Sequence, residues 1–144
     1  MPVTVMAAAQ VRPLRRLVLR PHQAAAELVF GGDDHPLALH VGSVVGGSVV
    51  GVASIAPEPH PVEGREGDWR LRGMATLPEI RGTGRGGELL VACLEHARTQ
   101  GGRRVWCNAR AGAVGFYERF GFAREGAEFD LSDIGPHLRM MRGI

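Results

Sequence analysis

The spacing of apolar residues along this chain of 144 residues changes from a strand period to a helix period and back. Residues 37–41 and 48–55 are strand-like, and Gly46 and Gly47 between them favour a turn that needs positive φ. Residues 88–100 place apolar side chains on one side of a helix instead. The pattern therefore predicts a hairpin followed by a strand-and-helix half, which is typical of an α/β domain around a mixed sheet.

The remaining segments extend this prediction in both directions. Residues 3–8 are predicted to form a strand, 11–20 a helix, and 23–30 a second helix. Further strands are expected at 69–77, at 104–108 and from 122 onward with 138–141 last, and a further helix is expected at 111–120. Three prolines and two glycines make residues 56–67 an expected exposed loop that could border a substrate site.

Length and composition limit the classes of protein to consider. A chain of 144 residues suits one domain, so residues 1–144 are predicted to be a single domain. No apolar stretch approaches the roughly 18 residues of a membrane span, and we expect no membrane partner. The first ten residues are apolar but lack a basic region, so a first strand is favoured over a signal peptide.

Charge and cysteine content point to an ordinary intracellular protein. The net charge of +2 is too small to favour a nucleic acid partner, and no basic stripe is interleaved with aromatics. Every cation is an arginine, and the scatter of the arginines favours coding bias over function. Cys93 and Cys107 lack metal-ligand spacing, so we expect reduced buried thiols, no metal site and a cytoplasmic location.

A glycine-rich segment carries the strongest chemical signal. It lies between a predicted strand and a predicted helix and reads Arg81-Gly82-Thr83-Gly84-Arg85-Gly86-Gly87. Glycines let the backbone approach a ligand closely, and a helix N-terminus adds partial positive charge, which together suit a pyrophosphate. The segment fits neither the P-loop nor the G-x-G-x-x-G template, but it does fit Arg/Gln-x-x-Gly-x-Gly/Ala.

A second motif follows in the next predicted helix, reading Phe116-Tyr117-Glu118-Arg119-Phe120-Gly121-Phe122. Together the two motifs resemble the acyl-CoA-binding core of the GNAT acetyltransferase superfamily. The resemblance implies the GNAT fold, a mixed and mostly antiparallel central sheet flanked by helices and splayed around the acyl-CoA site. It also implies an N-acetyltransferase that moves an acetyl group from acetyl-CoA to a primary amine of a small molecule or peptide, by direct attack in a ternary complex.

The resemblance also implies roles for individual residues. The glycine-rich segment would hold the pyrophosphate of coenzyme A, and the backbone of Met74, Ala75 and Thr76 would pair with its pantetheine arm. Tyr117, the only tyrosine of the chain, would protonate the departing thiolate. Many members have an asparagine seven residues before this tyrosine, where the chain has Arg110. Asn108 would face the same side of the strand, so it is the expected cofactor contact and the role of Arg110 stays open.

Several alternatives stay open at this level. Tyr117 could instead pack in the core with its hydroxyl hydrogen-bonded. The general base is undetermined, and the candidates are Glu63, Glu66, Asp68, His40 and His137. A GNAT fold that binds or senses an acyl-CoA without turnover is the alternative function. An exposed strand edge near the C-terminus could pair two copies into a homodimer.

The identity of the acceptor amine is also open. The segments expected to border its site contain several carboxylates, near which a cationic amine would be favoured electrostatically. A solvated acidic rim explains the same residues and is the preferred interpretation. They include Asp33, Asp34, Glu63, Glu66, Glu125, Glu128, Asp130 and Asp133.

Overall fold

The computed structural model describes residues 3–24, 28–131 and 134–144, and within them seven strands form one sheet. The strands are β1 (Thr4–Met6), β2 (Leu39–Val45), β3 (Ser48–Pro57), β4 (Asp68–Thr76), β5 (Arg104–Arg110), β6 (Ala123–Leu131) and β7 (Gly135–Gly143). The helices are α1 (Ala8–Leu14), α2 (Arg85–Thr99) and α3 (Val114–Arg119), with a π-helical turn at Arg15–Leu19 and 3-10 turns at Pro78–Ile80 and Ala111–Ala113.

The strands lie in the order β1-β2-β3-β4-β5-β7-β6. All the pairings are antiparallel except the one between β4 and β5. Between these two parallel strands the chain needs a crossover, which α2 provides. The predicted class, a mixed and mostly antiparallel sheet flanked by helices, is therefore confirmed.

The sheet has one strongly apolar face. Helix α2 packs on it through a buried stripe that recurs at helical spacing and contains Leu89, Leu90, Cys93, Leu94 and Ala97. Tyr117 and Val114 of α3 join the same core. On the opposite face α1 covers Val52 and Ala75, but beyond it the register aligns His40, Ser54 and Arg72 across β2, β3 and β4. One region of this second face is consequently polar.

A bulge bends β4 where it approaches the middle of the sheet. Val52 is opposite Ala75 and Ser54 is opposite Arg72, so β4 contains one residue more than β3 over this stretch. Gly73 lies within the bulge at φ +62°, and a Cβ there would lie 2.7 Å from Nε of Arg15. Only glycine satisfies both the backbone angle and the close approach of that arginine.

The central parallel pair opens soon after it forms. Only Asp68, Trp69 and Arg70 of β4 pair with β5, opposite Arg104, Val105 and Trp106. Both strands continue, to Thr76 and Arg110, but no pairing joins them beyond this point. The result is a wedge between β4 and β5, and the backbone groups that face it lack the strand partners present elsewhere in the sheet.

The structure also corrects several boundaries. Helix α2 begins at Arg85 and not at residue 88, because Gly86 and Gly87 hide the first turn from a periodicity reading. The predicted helix over 23–30 is wrong at Leu28 and Phe30, which lie in irregular chain, and residues 25–27 lie outside the described residues. The loop predicted over 56–67 begins after Pro57, and it is not fully exposed because His60 is buried. The predicted hairpin is confirmed, with Gly46 and Gly47 both at positive φ.

Candidate active site

The glycine-rich segment forms an open turn in front of α2. Gly82 and Gly84 have φ of +80° and +88°, and no atom lies within 4 Å of a Cβ added at either position. Gly84 is the residue that immediately precedes α2. The turn therefore depends on the backbone freedom of glycine, and it leaves open space where a ligand could approach the main chain.

The first turn of α2 presents unpaired backbone donors to that space. The backbone hydrogen bonds of the helix begin with the N–H of Glu88, which donates to O of Gly84 at 3.1 Å. The N–H groups of Arg85, Gly86 and Gly87 come before it and have no preceding helical carbonyl to bind. Together with the positive end of a helix of 15 residues, they suit a phosphate group.

Side chains around the turn hold it in place. A guanidinium N–H of Arg81 donates to O of Thr76 at 2.9 Å, and one of Arg85 donates to Oγ of Ser43 at 2.9 Å. The hydroxyl of Thr83 donates to O of Ile80. Arg81 is exposed, so its remaining donors are accessible to a charged ligand as well.

The two sequence motifs meet at Gly87. A Cβ on this residue would lie 2.6 Å from Cζ of Phe120, so the start of α2 packs directly against the ring at the end of α3. Gly86 is less tightly enclosed, with Met74, Thr76 and Phe116 between 3.6 and 3.7 Å from its added Cβ. The predicted phosphate turn and the tyrosine helix thus form one packed unit.

The wedge between β4 and β5 forms a cavity that brings several predicted residues together. Met74 borders it from β4, Asn108 and Arg110 border it from β5, and Tyr117 borders it from α3. His137 of β7, which lies opposite Arg110 in the register, completes this group. Ala75 does not face the cavity, because its side chain is buried under α1.

Tyr117 lines the cavity and is also part of the main hydrophobic core. Its side chain is only 6% exposed, and its ring makes edge contacts with Phe116 and Phe122 at centroid distances of 5.2 and 5.5 Å. Within the described residues its hydroxyl makes no hydrogen bond to protein, unlike the hydroxyl of a tyrosine that serves only the core. Burial raises the pKa of Tyr117 well above its usual value, and the neighbouring thiols add to the effect. The phenol is consequently neutral at physiological pH.

His137 lines the cavity on the side of β7. It is 5% exposed, and its Nδ1 lies 2.8 Å from O of Gly135. Since a carbonyl oxygen only accepts, Nδ1 carries a proton, and in the neutral tautomer the lone pair is on Nε2. The ring stacks on Phe129 at a centroid distance of 6.0 Å, which fixes its plane.

The other candidate bases lie elsewhere. His40 is buried, with Nδ1 2.6 Å from Oγ of Ser54 and Nε2 3.0 Å from O of Asp33, so both ring nitrogens are occupied. Burial alone would raise the pKa of Asp68, but hydrogen bonds from the Arg104 side chain and from two backbone N–H groups lower it to about 2. Glu63 and Glu66 are exposed and do not line the cavity.

Sequence reasoning missed the wall supplied by the N-terminal third of the chain. Leu19, Arg20 and Phe30 border the cavity beside Arg72 of β4. Arg20 reaches it because the π-helical turn Arg15–Leu19 ends there, with the N–H of Arg20 donating to O of Arg15 at 3.3 Å. Arg70 and Arg72 are two residues apart on a strand, so their side chains lie on the same face of the sheet. This spacing was the one signal in the sequence that arginines would lie together.

The comparisons with known proteins agree with this architecture. The model of the acetyltransferase (GNAT) family matches residues 9–122, which contain both motifs. The chain belongs to the GNAT acetyltransferase family. A relative from Bacillus subtilis (strain 168), the uncharacterized N-acetyltransferase YitI, is 33% identical over 132 residues, covering 91% of this chain and 88% of the relative.

Solved structures share the same fold at low sequence identity. An aminoglycoside 6'-N-acetyltransferase complexed with coenzyme A superposes with a TM-score of 0.75 at 14% identity, covering 99% of this chain and 97% of that one. Escherichia coli ElaA superposes with a TM-score of 0.76 at 18% identity, covering 98% of each chain. At these identities the two likenesses show the fold alone.

Proposed function

We propose that the protein is an acetyl-CoA-dependent N-acetyltransferase that acts on a primary amine of a small molecule or peptide by direct attack in a ternary complex. The observation that carries this proposal is the cavity between β4 and β5. A neutral phenol and an imidazole with a free lone pair both border it, and the glycine-rich turn follows β4 along the chain.

The residues present fit the cofactor. The N–H groups of the first turn of α2 and the open backbone at Gly82 and Gly84 would hold the pyrophosphate. The unpaired edge of β4 at Met74, Ala75 and Thr76 would pair with the pantetheine arm, as one more strand would. Bound acetyl-CoA supplies the acetyl group as a thioester open to a neutral amine, with a thiolate as the leaving group.

Tyr117 is proposed as the general acid. The phenol stays protonated at every pH at which the protein would work, because burial raises its pKa. A thiolate with a pKa of roughly 8.5 is basic enough to take a proton in the transition state of its departure. The absence of a protein partner for the hydroxyl within the described residues leaves it free to donate into the cavity.

His137 is proposed as the general base. Its Nε2 would take the proton that the acceptor ammonium must lose, directly or through one water. The arginines that line the cavity assist, because like charges nearby favour the neutral form of an amine and lower its pKa. Asn108 borders the same cavity and is proposed as a cofactor contact.

A covalent cysteine route is disfavoured. Burial raises the pKa of Cys93 and that of Cys107 to about 12, so neither thiol supplies a thiolate at neutral pH. Cys93 lies on the buried face of α2 outside the cavity lining, and Cys107 lines the cavity but is buried. Direct transfer between the two bound substrates needs no such intermediate.

The test combines calorimetry with an assay of thiol release. Wild type should bind acetyl-CoA, and Gly84→Trp should lose that binding while remaining folded. With a panel of amines, His137→Gln should lower kcat, and the loss should shrink at pH 9, where more of the acceptor is already neutral. Binding without thiol release from any amine would favour a binding or sensing module. No binding by folded wild type would refute the acetyltransferase proposal.

A further inference from the structure

The lining of the cavity carries an unusual excess of positive charge. Arg70 and Arg72 reach it from β4, Arg110 from β5, and Arg20 from the end of the π-helical turn. None of the described residues that line it is an aspartate or a glutamate. This is the reverse of an acidic surrounding that would attract a cationic amine.

Two of these arginines are committed to the protein. Arg70 pairs with Glu58 at 3.0 Å, and its guanidinium lies 4.6 Å from the Trp106 ring centroid. Arg110 donates to O of Leu19. Behind the cavity, Arg15 is fully buried and donates to both carboxylate oxygens of Asp33, at 2.7 and 3.0 Å. The nearby acidic groups are therefore already used.

Arg20 and Arg72 have no such partner. Their guanidinium carbons lie 5.5 and 4.6 Å from the centroid of the Phe30 ring, and no ion pair to either occurs within the described residues. The ring holds both groups at the cavity wall without neutralising them. Neither guanidinium has an ion-pair partner among the described residues, although the more distant carboxylates of Glu58 and Asp33 offset part of the charge of Arg72.

Burial and the crowding of positive charge lower the pKa of Arg72 and that of Arg110. Burial, and then the charge of Arg70, lowers the pKa of Arg72 to about 10. Burial, and then the charge of Arg20, lowers the pKa of Arg110. The charges of Arg70 and Arg20 thus make the cationic forms of Arg72 and Arg110 less favourable, and a bound anion would relieve both.

The phosphates of coenzyme A do not account for these charges. Arg72 precedes Thr76 by four residues along β4, which is about 13 Å in an extended strand, and the phosphate turn begins only after that strand. That turn has its own donors in the first turn of α2. Arg20 and Arg72 instead share the cavity with Tyr117 and His137, where the acceptor must enter.

We infer that the acceptor is an amine that also carries an anionic group, a carboxylate or a phosphate, bound by Arg20 and Arg72. The inference rests on the proposed function. The planar guanidinium fork matches both anions in geometry, and charge-assisted contacts of this kind are worth about 1.5–3 kcal/mol, or roughly ten- to hundredfold in affinity. The same arginines would help the amine of that acceptor to lose its proton.

The experiment compares matched amines in the thiol-release assay. The pairs are glycine with glycinamide, β-alanine with β-alaninamide, and O-phosphoethanolamine with ethanolamine, so that the carboxylate and phosphate arms are separate. Wild type is compared with Arg72→Gln and with the control Arg98→Gln, which changes an exposed arginine paired with Glu95 on α2. We expect wild type to prefer the anionic member of at least one pair by about tenfold in kcat/KM. Arg72→Gln should erase that preference through KM, and Arg98→Gln should keep it.

Two results would overturn the inference. One is equal use of both members of every pair that reacts, and the other is a loss in Arg72→Gln that is the same for neutral and anionic amines. If no amine reacts, the protein saturated with coenzyme A is titrated with acetate and with inorganic phosphate. A rise in its thermal midpoint that Arg72→Gln removes and Arg98→Gln retains supports the anion site, and no rise refutes it. Failure to bind coenzyme A at all would instead refute the proposed function.

Discussion

Replacing Tyr117 by phenylalanine separates chemistry from packing, because the substitution removes one hydroxyl and leaves the ring in place. The ring contacts with Phe116 and Phe122 are retained. The hydroxyl makes no hydrogen bond within the described residues, so the free energy of unfolding should change by less than about 1 kcal/mol. The variant should therefore fold and bind acetyl-CoA as wild type does.

The chemical step should suffer far more. General acid catalysis contributes about 10²–10⁴-fold, and we expect kcat to fall by about 100-fold with KM for acetyl-CoA unchanged. The assay is steady-state thiol release, with calorimetric affinity and the thermal midpoint as controls. The pKa of Tyr117 is raised by burial, so the wild-type rate should show no loss from its ionisation between pH 7 and 9. A kcat within twofold of wild type, in a folded variant, would show that the thiolate leaves without this proton.

Three further predictions concern the cofactor turn and the stability of the fold. Gly84→Ala and Gly101→Ala each place a side chain at positive φ in open space, and the two positions lie at opposite ends of α2. Calorimetry should nevertheless show weaker acetyl-CoA binding only for Gly84→Ala. Arg15→Met should lower the free energy of unfolding by about 3–5 kcal/mol, because it leaves the carboxylate of Asp33 buried without its cation. Urea denaturation measures this change, and a decrease below about 1 kcal/mol would contradict the prediction. The pKa of Asp68 is lower in the folded state, at about 2, than in the unfolded chain. The carboxylate therefore contributes fully to the free energy of unfolding above about pH 4, and this contribution disappears as the pH falls towards 2. The wild-type urea midpoint should thus drop between pH 5 and 3 by more than that of Asp68→Asn, and equal drops would exclude this carboxyl as the cause.

The parts of the molecule that rest on local rules were predictable from the sequence. The strand-like spacing of apolar residues identified β2 and β3. Gly46 and Gly47 identified the turn between them, because a tight hairpin needs positive φ. The glycine-rich turn and the helix after it followed from the same local reasoning. Glycine also caused the one error there, since its poor helix propensity hid the first turn of α2.

The cavity could not be predicted in the same way, because it depends on where two strands stop pairing. No residue pattern in β4 or β5 indicates that the pairing between these two strands ends at Arg70 and Trp106. Likewise, a single histidine in a sequence has no defined tautomer, and only the carbonyl of Gly135 assigns the lone pair of His137 to Nε2.

The sequence by itself determined the class of fold, the phosphate turn and the tyrosine, because each depends on backbone freedom or spacing within a short segment. Only the tertiary structure decided the charge of the cavity that we propose as the acceptor site. The arginines are scattered along the sequence, and the carboxylates of the loops are interpreted as a solvated acidic rim, so the sequence does not predict an arginine-lined cavity. In the folded protein Asp33 pairs with Arg15, and Glu58 pairs with Arg70. Arg20 and Arg72 are about fifty residues apart in sequence, but both contact the ring of Phe30. Electrostatic potential is a sum over distances in space, so it is set by the packing of the elements and not by their order.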